Sequence, residues 1–199
     1  MDKIFTKGIF QFAVAITVLF IIMLFLNYIF QSLAIYRMMK SRKIKGAFLS
    51  WIPVTFFYAL GSVCDDIKRK NDEKTKFRFA LSSIYLLFLL LRNSVIITLI
   101  SKLSHTIQYN LNSEVLSIMR DYISNSSVNF LPGLLLSTHT VLCFVCLYTI
   151  YRTYAPNCPS YFAAALVFTL IPIIPFIPGI YLWKASKNIP IYRKKMIVA

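Results

Sequence analysis

Charged residues divide this chain into long apolar runs. Lys7 and Arg37, Lys45 and Asp65, Asp121 and Arg152, and Arg152 and Lys184 each bracket a stretch with no Asp, Glu, Lys or Arg. Apolar runs of about 18 or more residues read as membrane helices. The first, Ile9 to Tyr36, extends about 42 Å at the helical rise of ~1.5 Å per residue, more than a ~30 Å hydrocarbon core. The helix predicted there must tilt or protrude. It is far longer than the ~7–15 residues of a signal-peptide core, and no small-residue cleavage site follows, so it reads as a span and not a leader.

The second run, Gly46 to Cys64, carries Pro53 near its middle, with only Gly46 to Ile52 before it. So short a piece cannot cross, and Trp51 and Tyr58 favour the headgroup level, so an interfacial or re-entrant helix pair is expected. Asp65 to Arg78 is dense in both signs of charge and reads as an aqueous loop. Phe79 to Ser101 is a second span, with Arg92 and Asn93 past its midpoint. Between residues 102 and 133, Leu103, Ile107, Leu111, Val115, Met119 and Tyr122 recur at intervals of three or four, the signature of an amphipathic surface helix. Leu134 to Tyr151 is a third span, and Tyr161 to Trp183 is an apolar piece interrupted by Pro172, Pro175 and Pro178. The expected fold is all-α: one polytopic membrane domain over 1–199, with three to four full spans and proline-broken re-entrant or interfacial helices.

Lysine and arginine placement orients such a chain, because loops rich in them stay in the cytoplasm. If both proline-broken pieces enter and return on one side, the stretch from Arg37 to Arg78, Arg152 and the tail from Lys184 together hold 17 Lys and Arg on the cytoplasmic side, against 4 outside. The alternatives split 12 to 9. Three spans with the N-terminus outside and the tail inside are therefore expected, in the plasma membrane. Tyr161 to Trp183 is nevertheless long enough to cross, so four crossings stay open. Ile35-Tyr36-Arg37 precedes Ile52-Pro53 much as Ile150-Tyr151-Arg152 precedes Ile171-Pro172, a weak repeat of span, basic turn and broken helix.

Composition narrows the class further. Of the 199 residues 58% are apolar and 15% charged, with mean hydropathy +0.66. A soluble domain carries about 25% charge, so an ordinary water-soluble enzyme is excluded. The net charge of +15 lies in juxtamembrane segments, where anionic lipid headgroups are the nearer counter-charge, so no nucleic-acid partner is expected. Cys64, Cys143, Cys146 and Cys158 are scattered in or beside apolar segments, unlike a disulfide framework, and are expected reduced.

Ile35 to Lys45 (IYRMMKSRKIK), Ser50 to Val54 (SWIPV), Leu60 to Asp65 (LGSVCD) and Tyr151 to Asn157 (YRTYAPN) resemble an uncharacterised group of small multi-span membrane proteins of clostridia and related Firmicutes. The resemblance covers about a third of the chain. It implies a small multi-span plasma-membrane protein and no particular activity. Cys64 stands where relatives carry serine, which implies no general metal or redox role for it.

Arg92 is the most informative single residue, since a cation near the bilayer centre costs about 2.5 kcal/mol or more and marks a functional position by default. None of the seven acids lies inside a predicted span. Arg92 is expected to snorkel or bind freed carbonyls, to meet a substrate anion or lipid phosphate, or to meet an acid on a partner protein. Asn93 and His139 are the other membrane-embedded polar positions. His139, Cys143 and Cys146 share a helix face, but one helix rarely completes a metal site, so no metal and no cofactor is expected. His139 with Ser137, Thr138 and Thr140 reads instead as an interhelical polar patch. Arg37, Lys40, Arg42, Lys43 and Lys45, and Arg193, Lys194 and Lys195 in the tail, suit anionic lipid headgroups at about 1 kcal/mol each. No nucleophile–base pair, carboxylate pair, G-x-S-x-G, H-E-x-x-H or phosphate loop is present, so no catalytic residue is assigned. The expected function is a non-enzymatic accessory, immunity-type or subunit module that contacts a membrane-protein partner, its own copies or lipid. The alternative is a small transporter or channel with its site near Arg92.

Overall fold

A computed structural model describes residues 2–108, 126–155, 160, 162–164, 166, 167 and 177–191. Among them every regular element is helical. The helices are α1 (Asp2–Ser41), a short 3-10 helix (Ala47–Trp51), α2 (Pro53–Lys70), α3 (Phe77–Gln108), α4 (Ser126–Tyr154) and α5 (Ile177–Ala185). Two of them contain stretches long and apolar enough to cross a membrane, Val14–Ser41 in α1 and Phe130–Tyr154 in α4. The chain divides into two compact units, 1–78 with 144–199, and 79–143. Helices α3 and α4 each contribute to both.

In the first unit, the outer part of α1 is apolar on every side. Phe12, Ile16, Leu19, Ile21 and Phe25 are all exposed, as expected of a helix whose surroundings are hydrocarbon and not a protein core. Nearer its C-terminus one face closes: Ala34, Ile35, Met38 and Met39 are wholly buried, at the i, i+3, i+4 spacing that puts them on one side. The helix therefore continues past the predicted end at Tyr36. It stops with a two-bond cap, Ile44 N–H to Met39 O at 2.9 Å and Lys43 N–H to Lys40 O at 3.1 Å, with Lys43 left-handed at φ 56°.

Pro53 opens α2 and does not break a helix. It occupies the first turn after extended Ile52, where its missing N–H costs nothing and its ring disfavours helix in the residue before it. Thr55 Oγ1 donates to Leu49 O at 2.8 Å, tying α2 to the 3-10 helix. The buried stripe Phe56, Ala59, Leu60, Val63, Cys64 and Ile67 carries α2 through Asp65 and Asp66 to Lys70. The expected aqueous loop 65–78 thus shrinks to 71–76. A second two-bond cap closes α2, Glu73 N–H to Lys68 O at 2.9 Å and Asp72 N–H to Arg69 O at 3.1 Å, with Asp72 at φ 61°.

Helix α2 meets the start of α3 at Gly61, where a Cβ would lie 2.5 Å from the Arg78 backbone. Asp65 then caps α3: its carboxylate accepts Thr75 Oγ1 and Phe77 N–H at 2.8 Å and Arg78 N–H at 3.2 Å. This satisfies orphan donors and places negative charge at the positive end of the helix. Helix α5 packs on α1. Gly179 N–H donates to Asn27 Oδ1 at 2.8 Å, and Trp183 lies 5.9 Å from Phe30. Pro178 is buried near the start of α5, while Pro172 and Pro175 lie outside the described residues.

In the second unit, α3 carries the predicted span 79–101 as continuous helix, with Phe79, Leu86, Leu87, Leu90, Ile97 and Ile100 exposed. Only the ends of the predicted amphipathic helix of 102–133 fall among the described residues. Residues 102–108 extend α3, residues 126–133 open α4, and 109–125 lie outside the described residues. Helix α4 therefore begins before the predicted Leu134, with Pro132 inside it.

Candidate functional site

The densest polar grouping lies in the first unit, where the ends of α1, α2 and α4 meet. Arg42 follows the last residue of α1, Asp66 faces it from α2, and Tyr154 ends α4. The Arg42 guanidinium donates from one terminal nitrogen to Asp66 Oδ2 at 2.8 Å and from Nε to Tyr154 Oη at 2.6 Å. It also lies 5.1 Å from the Tyr154 ring centroid. Arg69 donates to Asp66 Oδ1 at 2.7 Å, and Lys70 stands 3.7 Å from Oδ2. The Arg42 and Asp66 side chains are only 2% and 6% exposed.

Burial alone would raise the Asp66 pKa, but the hydrogen bonds from Arg42 and Arg69 and the charges of Arg42 and Lys70 outweigh it. They hold the carboxyl below its ordinary value. The result is a latch in which one buried carboxylate draws in three cations. It joins three elements far apart in sequence and offers no nucleophile. A cavity of about 310 Å³ adjoins it, with Lys43, Arg69, Lys74 and Arg78 on its wall.

This geometry removes Arg42 from the group expected to face lipid headgroups, because its side chain is sealed against Asp66 and Tyr154. Arg37, Lys40, Lys43 and Lys45 are exposed, with Arg37 and Lys40 beside a second cavity of about 460 Å³. Arg193, Lys194 and Lys195 lie outside the described residues. Tail residues 188–191 join the same end: Asn188 Nδ2 donates to Tyr154 O at 2.8 Å and Ile191 N–H to Thr153 O at 2.7 Å. They satisfy carbonyls that the last turn of α4 leaves open.

In the second unit, Arg92 and Asn93 are exposed on α3. The Arg92 guanidinium lies 5.9 Å from the Phe88 ring, and among the described residues no acid comes within ion-pair distance. His139 is buried, its ring 5.2 Å from that of Tyr85, with Cys143 Sγ 3.8 Å from its ring nitrogens. The expected polar patch is smaller than the sequence implied. Ser137, Thr138 and Thr140 are exposed, and their hydroxyls donate back to Gly133, Leu134 and Leu136 carbonyls of their own helix.

Sequence reasoning missed Asp66, Tyr154, Asn27 and Asp65. For Asp66 a signal existed: Arg69 and Lys70 at i+3 and i+4 are the spacing of helical ion pairs, though nothing local gave the pairing with Arg42. No family model, curated protein or solved structure matches the chain.

Proposed function

We propose that this chain is a non-enzymatic, multi-pass plasma-membrane protein of the resembled group. In this reading it is an accessory or immunity-type subunit that docks through the α3 face carrying Arg92. One observation carries the reading: Arg92 is exposed on a helix whose neighbours Leu90, Ile96 and Ile97 are exposed and apolar, with no acid among the described residues to pair it. A cation on such a surface costs about 2.5–3.5 kcal/mol at the bilayer centre, and an acid or phosphate from a second molecule offsets that cost.

The topology proposed with it has α1, α3 and α4 crossing and segments 46–64 and 161–183 entering and leaving on the cytoplasmic side. The bonds of Arg42 to Asp66 and of Asn188 to Tyr154 support this, since each brings the exit of a broken segment back to the level of its entry. A photo-crosslinking residue at Ile96 in native membranes tests the contact. A discrete protein adduct that disappears with Arg92→Gln is expected. Lipid adducts alone, with a strictly monomeric chain in mild detergent, would contradict it.

A further inference from the structure

A cavity of about 430 Å³ lies between the last turn of α2 and one face of α4, with Lys68, Asn71, Val145, Tyr148, Thr149 and Arg152 on its wall. Its volume is that of a small-ligand pocket, about 300–1,000 Å³. Its chemistry changes along its length. At one end Lys68 is already matched by Glu73 at 2.6 Å. Arg152 is exposed, with no ion pair among the described residues, and leaves the net charge there positive. Val145 and Tyr148, seven and four residues earlier on the same face of α4, are 41% and 44% exposed. They lie about 10 and 6 Å deeper along the apolar stretch that ends at Tyr154. A cation at the interface above exposed Val145 and Tyr148 is complementary to a lipid with a phosphate above its acyl chains.

We infer that this cleft binds an anionic glycerophospholipid, with its phosphate on Arg152 and an acyl chain along Tyr148 and Val145. The inference rests on the membrane placement proposed above and not on the Arg92 contact. Thr149, between the two zones, donates its hydroxyl to Val145 O at 2.9 Å. The Ile191–Thr153 bond keeps the tail beside the mouth.

The test is titration of the purified full chain with phosphatidylglycerol or phosphatidylcholine, read by native mass spectrometry. Phosphatidylglycerol adducts in preference to phosphatidylcholine are expected. Arg152→Gln should weaken one of them about tenfold, while Arg152→Lys retains most of the binding. Lys76→Gln, which removes the same charge at an exposed position outside the cleft, should leave it unchanged. Tyr148→Ser should weaken it as well. Arg92→Gln leaves the adducts in place, so this inference and the subunit reading fail separately. Equal retention of both lipids, or equal effects of Arg152→Gln and Lys76→Gln, would overturn the site. Arg152-dependent binding of inorganic phosphate together with indifference to Tyr148→Ser would overturn the lipid and leave a soluble anion.

Discussion

At the residue scale, Asp66 is the position where most depends on one side chain. Its carboxylate is buried and pairs with Arg42, Arg69 and Lys70, so Asp66→Asn would leave the buried Arg42 guanidinium without its carboxylate partner. Removing one partner of a buried pair typically costs about 3–5 kcal/mol, and thermal unfolding in detergent should register a loss of that order. The pH dependence has a definite sign. The folded-state pKa lies below the unfolded value of about 3.9, so the stabilisation is complete above about pH 4 and is lost as the pH falls through the folded value. The wild-type melting temperature should therefore drop on acidification below that point, and this drop should be smaller in Asp66→Asn. An unchanged acid limb in the variant would show that other carboxylates carry it.

At the element scale, close backbone approaches fix how α2 meets α3 and how α5 meets α1. Gly61 has no room for a Cβ, because the atoms it would meet are Arg78 backbone that cannot rotate away. Gly61→Ala should cost about 1–3 kcal/mol through forced separation of the two helices. Gly133→Ala is the matched contrast: nothing lies within 4 Å of the new methyl, and alanine is the better helix former by up to about 1 kcal/mol. Melting temperatures of the two variants should move in opposite directions, and equal shifts would contradict the packing described.

The helices themselves were legible in the sequence, because charge-free apolar runs and a proline at Pro53 leave few alternatives. Their ends were less so. Lys43 and Asp72 occupy left-handed cap positions usually given to glycine, so the sequence carried no stop signal at either end. Asp65 and Asp66, read as loop residues from their charge, are held by Arg42 just after α1 and by the start of α3, partners that no local pattern reveals. Arg92 was legible as an unmatched cation because that judgement needs only composition and span boundaries. Arg42, one of five neighbouring cations, could not be told apart from the four that stay exposed, since its difference lies in contacts with residues 24 and 112 positions away.

At the scale of the whole molecule, the proposed topology has three crossings, with the two proline-bearing segments returning to the side they entered. Positive charge and geometry point the same way. Arg42, Asp66, Tyr154 and Asn188 are joined by hydrogen bonds at one end of the first unit, and Lys and Arg are concentrated in the segments that meet there. The Arg152 cleft lies at that end too, where the cytoplasmic leaflet would present its anionic lipids. The most direct measurement is cysteine accessibility in intact cells. Single cysteines at Ser104 and Ile189, both exposed, would be placed in a background whose four native cysteines are replaced by alanine, then treated with a membrane-impermeant maleimide. Labelling at 104 but not at 189, with both labelled after permeabilisation, is the predicted result. Labelling at 189 in intact cells would mean that segment 161–183 crosses, and would contradict the account.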